Sequence, residues 1–553
     1  MAIDISTSDQ PDTETQKPGE AILTAASALS SALRTTLGPN GMDKMLINDR
    51  GTVVVTNDGS IILDRMEIES PVGRVVERVA DAQADAVGDG TTTVILLTGE
   101  LLQAAKSLRD DGMHPTTIVN GYAKAVDYAQ RQIRDFGMTI DDQATTRLTQ
   151  VAETAVTGRW DHRSTARFAE LTVEALQHVD FDTSRLTLKS YAGGQLRGSE
   201  QINGLLIDTD TSSTSLESIS ATADAPLATP TVAMVDNEIG IEISDHIEAV
   251  ELQDANQVSD FQAYEQNVRK EIVSQILGLD VDALICQKSI DETVRNQLFH
   301  RGVLVVERTR QDEFDAIVRM TESSPVRSVD SLTLDDTGCA DAIEHQTVGT
   351  TPTLTIRGIT DKPQTSLLLR GGTEHVSEEV RRIINDCIDV VRLAHQDGLL
   401  LPGGGAAAVA LADDVLDYAT SVSNRTQLAI EAFAEALKSV PRVLARNAGQ
   451  DPTDTITALQ HRHHAGERTV GIDSDGNLQD MASVGVVEPA AVFYTAIGRA
   501  AEAASLILRI DDVVATGAPA NHDKAGHTHD GHNHDEHGRG EQATGGYPWA
   551  VGH

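Results

Sequence analysis

Six consecutive residues, Gly88-Asp89-Gly90-Thr91-Thr92-Thr93, carry the strongest local chemistry in this sequence. Glycines let successive backbone N–H groups turn toward one anion, a helix N-terminus adds a favourable dipole, and threonine hydroxyls add donors. With the apolar stretch Val94 to Leu102 directly behind as a helix, they make a phosphate cradle. Asp89 supplies a hard oxygen ligand, so a phosphate-bound Mg²⁺ is its natural companion. Read locally, the same residues are also a Gly-Asp-Gly turn with Thr91 as a helix N-cap. Both readings stand on the hexapeptide alone.

Other loops have matching chemistry. Thr36-Leu37-Gly38-Pro39-Asn40-Gly41 has the composition of a tight turn ending a helix, and Gly403-Gly404-Gly405 opens another helix where only backbone can approach a ligand. Two carboxylates are candidates to complete a site. Asp58, in Thr56-Asn57-Asp58-Gly59, falls on a hairpin-like turn, and Asp386, in Asn385-Asp386-Cys387, reads equally as a solvated helix residue. The sequence has no Gly-x-x-x-x-Gly-Lys-Ser/Thr, so nucleotide chemistry here is not of the P-loop kind.

The elements that must position these loops fall into three stretches. From about Pro18 to Ala129, helices alternate with Gly-bearing turns: Ala21 to Leu37 and Pro71 to Val87 read as amphipathic helices, Gly51 to Leu63 as two short β segments around Asn57-Asp58-Gly59. A second helix-rich block runs from Gly404 to Asp512. Between them, from Leu186 to Leu369, strand-like runs such as Val303 to Val306 and Ser366 to Leu369 alternate with helical ones. Val258, Phe261, Tyr264, Val268, Ile272 and Ile276 step by three or four, an apolar stripe along one helix.

Composition narrows the classes. The chain has 553 residues, enough for about three to four domains. It has no unbroken apolar run of about 18 residues and a polar, acidic N-terminus, which argue against a membrane span or a secretory signal. Cys286, Cys339 and Cys387 lie far apart, as in a reducing, cytoplasmic compartment. The 84 Asp and Glu against 44 Lys and Arg give a formal charge of −40, which repels nucleic-acid phosphates. Spread along the chain, with arginine outnumbering lysine, this acidity suits a salt-rich cytoplasm where self-repulsion is screened. The segment from Asn521 to His553 has seven histidines and no apolar periodicity; it reads as disordered, with a His cluster suited to a divalent transition metal.

Taken in order, these loops resemble the group II chaperonins, the thermosomes of archaea and their eukaryotic cytosolic relatives. Leu37-Gly38-Pro39-Asn40-Gly41-Met42-Asp43-Lys44-Met45-Leu46 resembles the family's N-terminal signature. Thr56 to Gly59, Val87 to Thr93, Leu369 to His375, Pro402 to Gly405, Asn447 to Gly449, Gly485 to Pro489 and Ile507 to Asp512 follow in family order. The similarity spans about Pro18 to Ala515.

That resemblance implies a multidomain α+β chaperonin fold with a helical equatorial ATPase domain, a small intermediate domain and an α/β apical domain with a helical protrusion. The expected equatorial parts are 18–145 and 401–518, the intermediate parts 146–211 and 365–400. The apical substrate-binding domain would be 212–364 with a lid protrusion at about 243–265, and 519–553 a disordered tail. Ile247, Val250 and Leu252, with the start of the apolar stripe, would face non-native clients, neighbouring lid segments or simply a core.

By the same resemblance, ATP and Mg²⁺ are the expected ligands. Thr36, Leu37, Gly38 and Pro39 would meet the nucleotide phosphates, with Gly90, Thr91, Thr92 and Thr93 as the second cradle and Asp89 on the metal. Asp58 and Asp386 would position and polarise the water that attacks the γ-phosphate. Thr157, Gly158 and Arg159 resemble the loop that senses that phosphate, Gly404 would admit the nucleoside and Glu488 would reach the ribose. Two positions depart from the family pattern, Arg159 and Asn40 each standing where a lysine is customary; both bear on hydrolysis rate rather than on binding. The implied function is an ATP-driven chaperone subunit of a double ring, built with copies of itself or paralogues, that encloses unfolded clients. A weakly hydrolysing structural subunit of a mixed ring, and a metal carrier acting through the His-rich tail, are the alternatives.

Overall fold

Helix Thr91–Asp110 buries Val94, Ile95, Leu96 and Leu97, four consecutive apolar residues that cover every side of its first half, and Leu101, Leu102 and Ala105 continue the buried face. Such a helix belongs in the middle of a core, and helices from both ends of the chain surround it. Pro18–Leu33, Pro71–Val87 and Pro115–Phe136 come from the N-terminal side, Thr426–Leu437 and Ala490–Leu508 from the C-terminal side. Tyr122, Phe433, Leu411 and Ile497 fill the space between them, with the Tyr122 hydroxyl donating to the Leu101 carbonyl at 2.7 Å so that no buried donor is left over.

The structure is a computed structural model of the chain and describes residues 18–48, 51, 53–66, 68, 70–140, 144–209, 226–240, 255–360 and 363–510. Among these, one helix, Ala490–Leu508, is long and apolar enough to cross a membrane. Arg499 and Glu502 interrupt it, and Ala496, Ala500, Ala504 and Ile507 pack in the core just described. The His-rich segment 519–553 and most of the lid segment 243–265, with Ile247, Val250 and Leu252, lie outside the described residues.

A second core is built on a three-stranded sheet. Thr365–Gly371 is its centre, parallel to Leu186–Ala192 and antiparallel to Glu200–Asn203. Helices Ala144–Ala155, His162–His178 and Glu374–Asp397 bury Leu148, Val151, Phe168, Leu176, Ile384 and Val391 there. Helix Glu374–Asp397 is amphipathic, capped at its start by the Thr373 hydroxyl and closed at its end by Gly398 in the left-handed conformation.

The middle of the chain forms a seven-stranded mixed sheet. Its central strands read as unbroken apolar runs because both faces are covered. Along Thr231–Val235, Val232 and Met234 face Phe314, Ile317 and Met320, whereas Ala233 and Val235 face Ile276, Val294 and Leu298. The expected apolar stripe divides on helix Ala255–Gly278: Ile272 and Ile276 face the sheet and Val268 packs at its edge, while Tyr264 is exposed. A knot of polar groups, buried at Lys189 and Glu313 and exposed at Asp208, stands where this region meets the three-stranded sheet. Lys189 Nζ lies 2.6 Å from Glu313 Oε1 and 2.8 Å from Asp208 Oδ2, and the Tyr191 hydroxyl donates to Asp208 Oδ1.

Residues 51–63 depart from the two expected β segments. Val53–Thr56 is a strand, paired antiparallel with Lys44–Ile47, but Gly59–Arg65 is a helix. Asp58 nucleates it as N-cap, its carboxylate accepting from the Ser60 and Ile61 amides, so the polar group taken for a hairpin turn starts a helix instead.

Candidate functional site

Gly90 settles the local ambiguity of the hexapeptide. It, and not Thr91, is the N-cap of Thr91–Asp110, in the left-handed conformation at φ 82°, and no side chain caps that helix. The first-turn amides and the hydroxyls of Thr91, Thr92 and Thr93 are therefore left at the wall of a cavity of about 890 Å³. Gln83, fully buried, fixes the loop's position. Its Nε2 donates to the Asp89 carbonyl at 3.0 Å and the Val492 carbonyl at 3.1 Å, while its Oε1 accepts from Arg499 at 2.6 Å.

Most of the other expected residues line the same cavity: Thr36, Leu37, Gly38, Pro39, Asp58, Asp89, Thr157, Arg159, Gly404 and Glu488. The first loop turns tightly, Gly41 N donating to Gly38 O at 2.9 Å, and Asn447 Nδ2 pins it through the Arg34 and Leu37 carbonyls at 3.2 and 2.9 Å. Thr36 is buried and donates its hydroxyl to Leu33 O, so it shapes the turn. Asn40 lines the cavity but bonds Ser474 O at 2.7 Å, tying the loop to the strand pair Val470–Ile472 and Leu478–Asp480. Gly404 also has a packing reason to be glycine: a Cβ there would lie 2.6 Å from Ile472 O.

Two expected residues are not on the cavity wall. Gly158, at φ 81°, packs so closely on the first loop that a Cβ would stand 2.5 Å from Pro39 O. Asp386 connects to the wall through Arg382, whose Nη1 lies 3.2 Å from Asp386 Oδ2 and 3.1 Å from Asp58 Oδ2. The spacing Glu379-Arg382-Asp386 signals only an ion-paired helix face, which hid Arg382's bridging place. Gln83 and Asn447 escaped for a related reason, since amides show no partner until the chain folds.

Crowded acids dominate the electrostatics. Burial pushes Asp58 up, but Arg382, the Ser60 hydroxyl, the Ile61 amide and Arg159 outweigh it and hold the carboxyl below its usual range. Burial raises Asp89, the Gly90 amide and Arg159 oppose, and Asp58 adds to the rise. Asp386 is pushed up to about 7 by burial, against Arg382 and with Asp58, Asp89 and Asp389. Glu488 is pushed up to about 8 by burial and then by Asp89.

This wall suits an anion that brings its own cation. Among the described residues no three His, Cys, Asp or Glu converge on a metal-holding point. Mg²⁺ does not need such a cage, because it is commonly held by one or two carboxylates together with substrate phosphates. Asp89 fits that part: among the described residues its carboxylate accepts only from the neighbouring Gly90 amide, at 2.6 Å. The buried Oδ1 of Asn57, beside Asp58 on the wall, has no hydrogen-bond partner among the described residues.

Comparison with known proteins agrees with this arrangement. Residues 29–518 match the TCP-1/cpn60 chaperonin family. The chain is 37% identical over 500 residues to thermosome subunit alpha of Halobacterium salinarum, covering 90% of this chain and 88% of that one. It is 38% identical over 500 residues to thermosome subunit 1 of Haloferax volcanii, with the same coverage, and 37% identical over 501 residues to thermosome subunit alpha of Thermoplasma acidophilum, covering 89% and 90%. A cavity built from both ends of the chain, and a match along nine-tenths of its length, have one explanation: the chain belongs to the TCP-1/cpn60 chaperonin family, and its function is that of a protein-folding chaperone of the group II kind.

Proposed function

We propose that this chaperone is an ATPase whose hydrolysis cycle drives enclosure and folding of non-native proteins inside a double ring in the cytoplasm. The observation that carries the reading is the convergence on one cavity of Leu37 to Pro39, Asp58, Asp89 to Thr93, Gly404 and Glu488, drawn from distant parts of the chain. In this reading 18–145 and 401–518 make the equatorial ATPase domain. Residues 146–211 with 365–400 make the intermediate domain, and 212–364 the apical one that receives clients.

The phosphates sit at the start of Thr91–Asp110, where uncapped amides, threonine hydroxyls and the helix dipole favour negative charge. Gly38 and Pro39 close the other side. Asp89 would hold Mg²⁺, and that ion would supply charge neutralisation at the phosphates. Asp58 on the wall and Asp386, joined to it through Arg382, would position and polarise the attacking water; phosphoryl transfer asks the protein mainly for positioning and charge complementarity. Arg159 lines the same cavity and its charge favours the ionised forms of Asp58 and Asp89, which supports a role for it toward the terminal phosphate.

A weakly hydrolysing structural subunit of a mixed ring is the second reading, favoured by Asn40, whose amide is engaged by Ser474 where a lysine charge is customary. The experiment is refolding of a chemically denatured protein by the purified oligomer in molar KCl. Recovery that needs Mg²⁺ and ATP supports the first reading. An intact large ring that binds ATP and refolds nothing without paralogous subunits supports the second.

A further inference from the structure

Asp58 has little acceptor capacity left for a water. Its Oδ1 takes hydrogen bonds from Ser60 N at 2.9 Å, Ser60 Oγ at 2.5 Å and Ile61 N at 3.1 Å, and its Oδ2 lies 3.1 Å from Arg382 Nη1. Asp386 is differently placed. Its Oδ2 accepts from the same Nη1 at 3.2 Å, and no hydrogen bond reaches its Oδ1 among the described residues. Arg382 is itself held: Nε donates to Glu379 Oε2 at 3.1 Å and Nη2 to Glu379 Oε1 at 2.6 Å, a two-point grip that fixes the guanidinium plane.

The bridge also spans two cores. Asp58 caps the helix whose Ile62 and Leu63 belong to the core around Thr91–Asp110, whereas Ile383, Ile384 and Cys387 anchor Arg382 and Asp386 in the core on the three-stranded sheet. A shift of an ångström or two between these cores separates Nη1 from Asp58, so the contact registers their approach.

We infer that Arg382 is a positioning residue for hydrolysis, tying the helix that carries Asp386, itself off the cavity wall, to the wall loop that carries Asp58. This rests on the ATPase reading above.

The test is a double-mutant cycle in the full-length chain, in molar KCl with Mg²⁺ and ATP, on protein that elutes as the wild-type oligomer. Asp58→Asn keeps an N-cap acceptor, and Arg382→Gln keeps a polar side chain without the charge. Each is expected to lower kcat about 10- to 100-fold while KM changes by less than about threefold. The double variant is expected to be no slower than the slower single one, because the two residues fail as a unit. Arg382→Lys, charged but unable to grip Glu379 at two points, recovers part of kcat. Losses that multiply in the double variant, a loss confined to KM, or wild-type kcat in Arg382→Gln overturns the proposal. If Arg382→Gln does not assemble, Arg382→Lys takes its place in the cycle under the same criterion. Asp386→Asn separates the two levels: full turnover there sinks the site reading itself, whereas its inactivity beside multiplying Asp58 and Arg382 losses sinks only the link.

Discussion

Gln83 Nε2 donates to the main-chain oxygen of Asp89 at 3.0 Å, and by this one bond a fully buried side chain helps set where the Asp89–Thr93 loop stands. The same amide bonds the Val492 carbonyl and Arg499, so the loop is fastened to helices from both ends of the chain. Gln83→Leu fits the volume but strands these partners. The expected cost is about 1–3 kcal/mol of stability, seen as a lower thermal transition, together with weaker ATP binding by calorimetry. Unchanged affinity would mean the loop holds itself.

Gly158 meets Pro39 O closely and has φ 81°. Gly158→Ala therefore strains the backbone and pushes the Thr157–Arg159 loop off the first loop; the left-handed conformation alone costs a non-glycine residue about 1–2 kcal/mol. The measured consequence is a raised KM for ATP with assembly intact. A variant with wild-type KM would detach this loop from the nucleotide.

Lys189 is a buried charge with two acidic partners, Glu313 and Asp208. Lys189→Met leaves Glu313 buried and uncompensated, and about 3–5 kcal/mol of stability is expected to go. Lys189→Met with Glu313→Leu should recover much of that, since apolar replacement of both partners removes the stranded charge. Thermal melts of both variants check it; equal losses in the two contradict the assignment of the cost to Glu313.

Stability should also depend on pH in a direction set by the crowded acids. Asp386 is pushed up to about 7 and Glu488 to about 8, burial first in each case. An acid whose folded pKa exceeds its unfolded value takes up a proton on folding. Its contribution is full below the unfolded pKa, near 4, and is lost as pH rises through the folded pKa. Asp58 is shifted the other way, so its contribution holds above about 4 and is lost only in acid. Without nucleotide and with a chelator present, the melting temperature should fall as pH rises from about 5 to about 8, and Glu488→Gln should flatten the upper part of that slope. A flat or rising curve would contradict this.

The parts legible in sequence were those whose chemistry is local. Glycines, threonines and aspartates at Leu37 to Gly41, Gly88 to Thr93 and Gly403 to Gly405 announce turns that only backbone can line, and these reach one cavity. Helix Pro71–Val87 has the bounds its apolar period predicts. Residues 59–65 were misread because Ile61 and Ile62 favour strands by propensity, while the N-cap bonds of Asp58 and the burial of Ile62 and Leu63 decide for helix. Gln83 was invisible because its bond to Val492 closes 409 residues of chain, and Arg382 because its partner Asp58 lies on another core.

Steady-state ATP hydrolysis by the purified oligomer in molar KCl with Mg²⁺, wild type against Asp386→Ala, tests the central claim most directly. The expected result is turnover by an intact large ring that disappears in the variant while ATP binding and assembly persist. Equal turnover in both, or a wild-type protein without affinity for ATP, would contradict it.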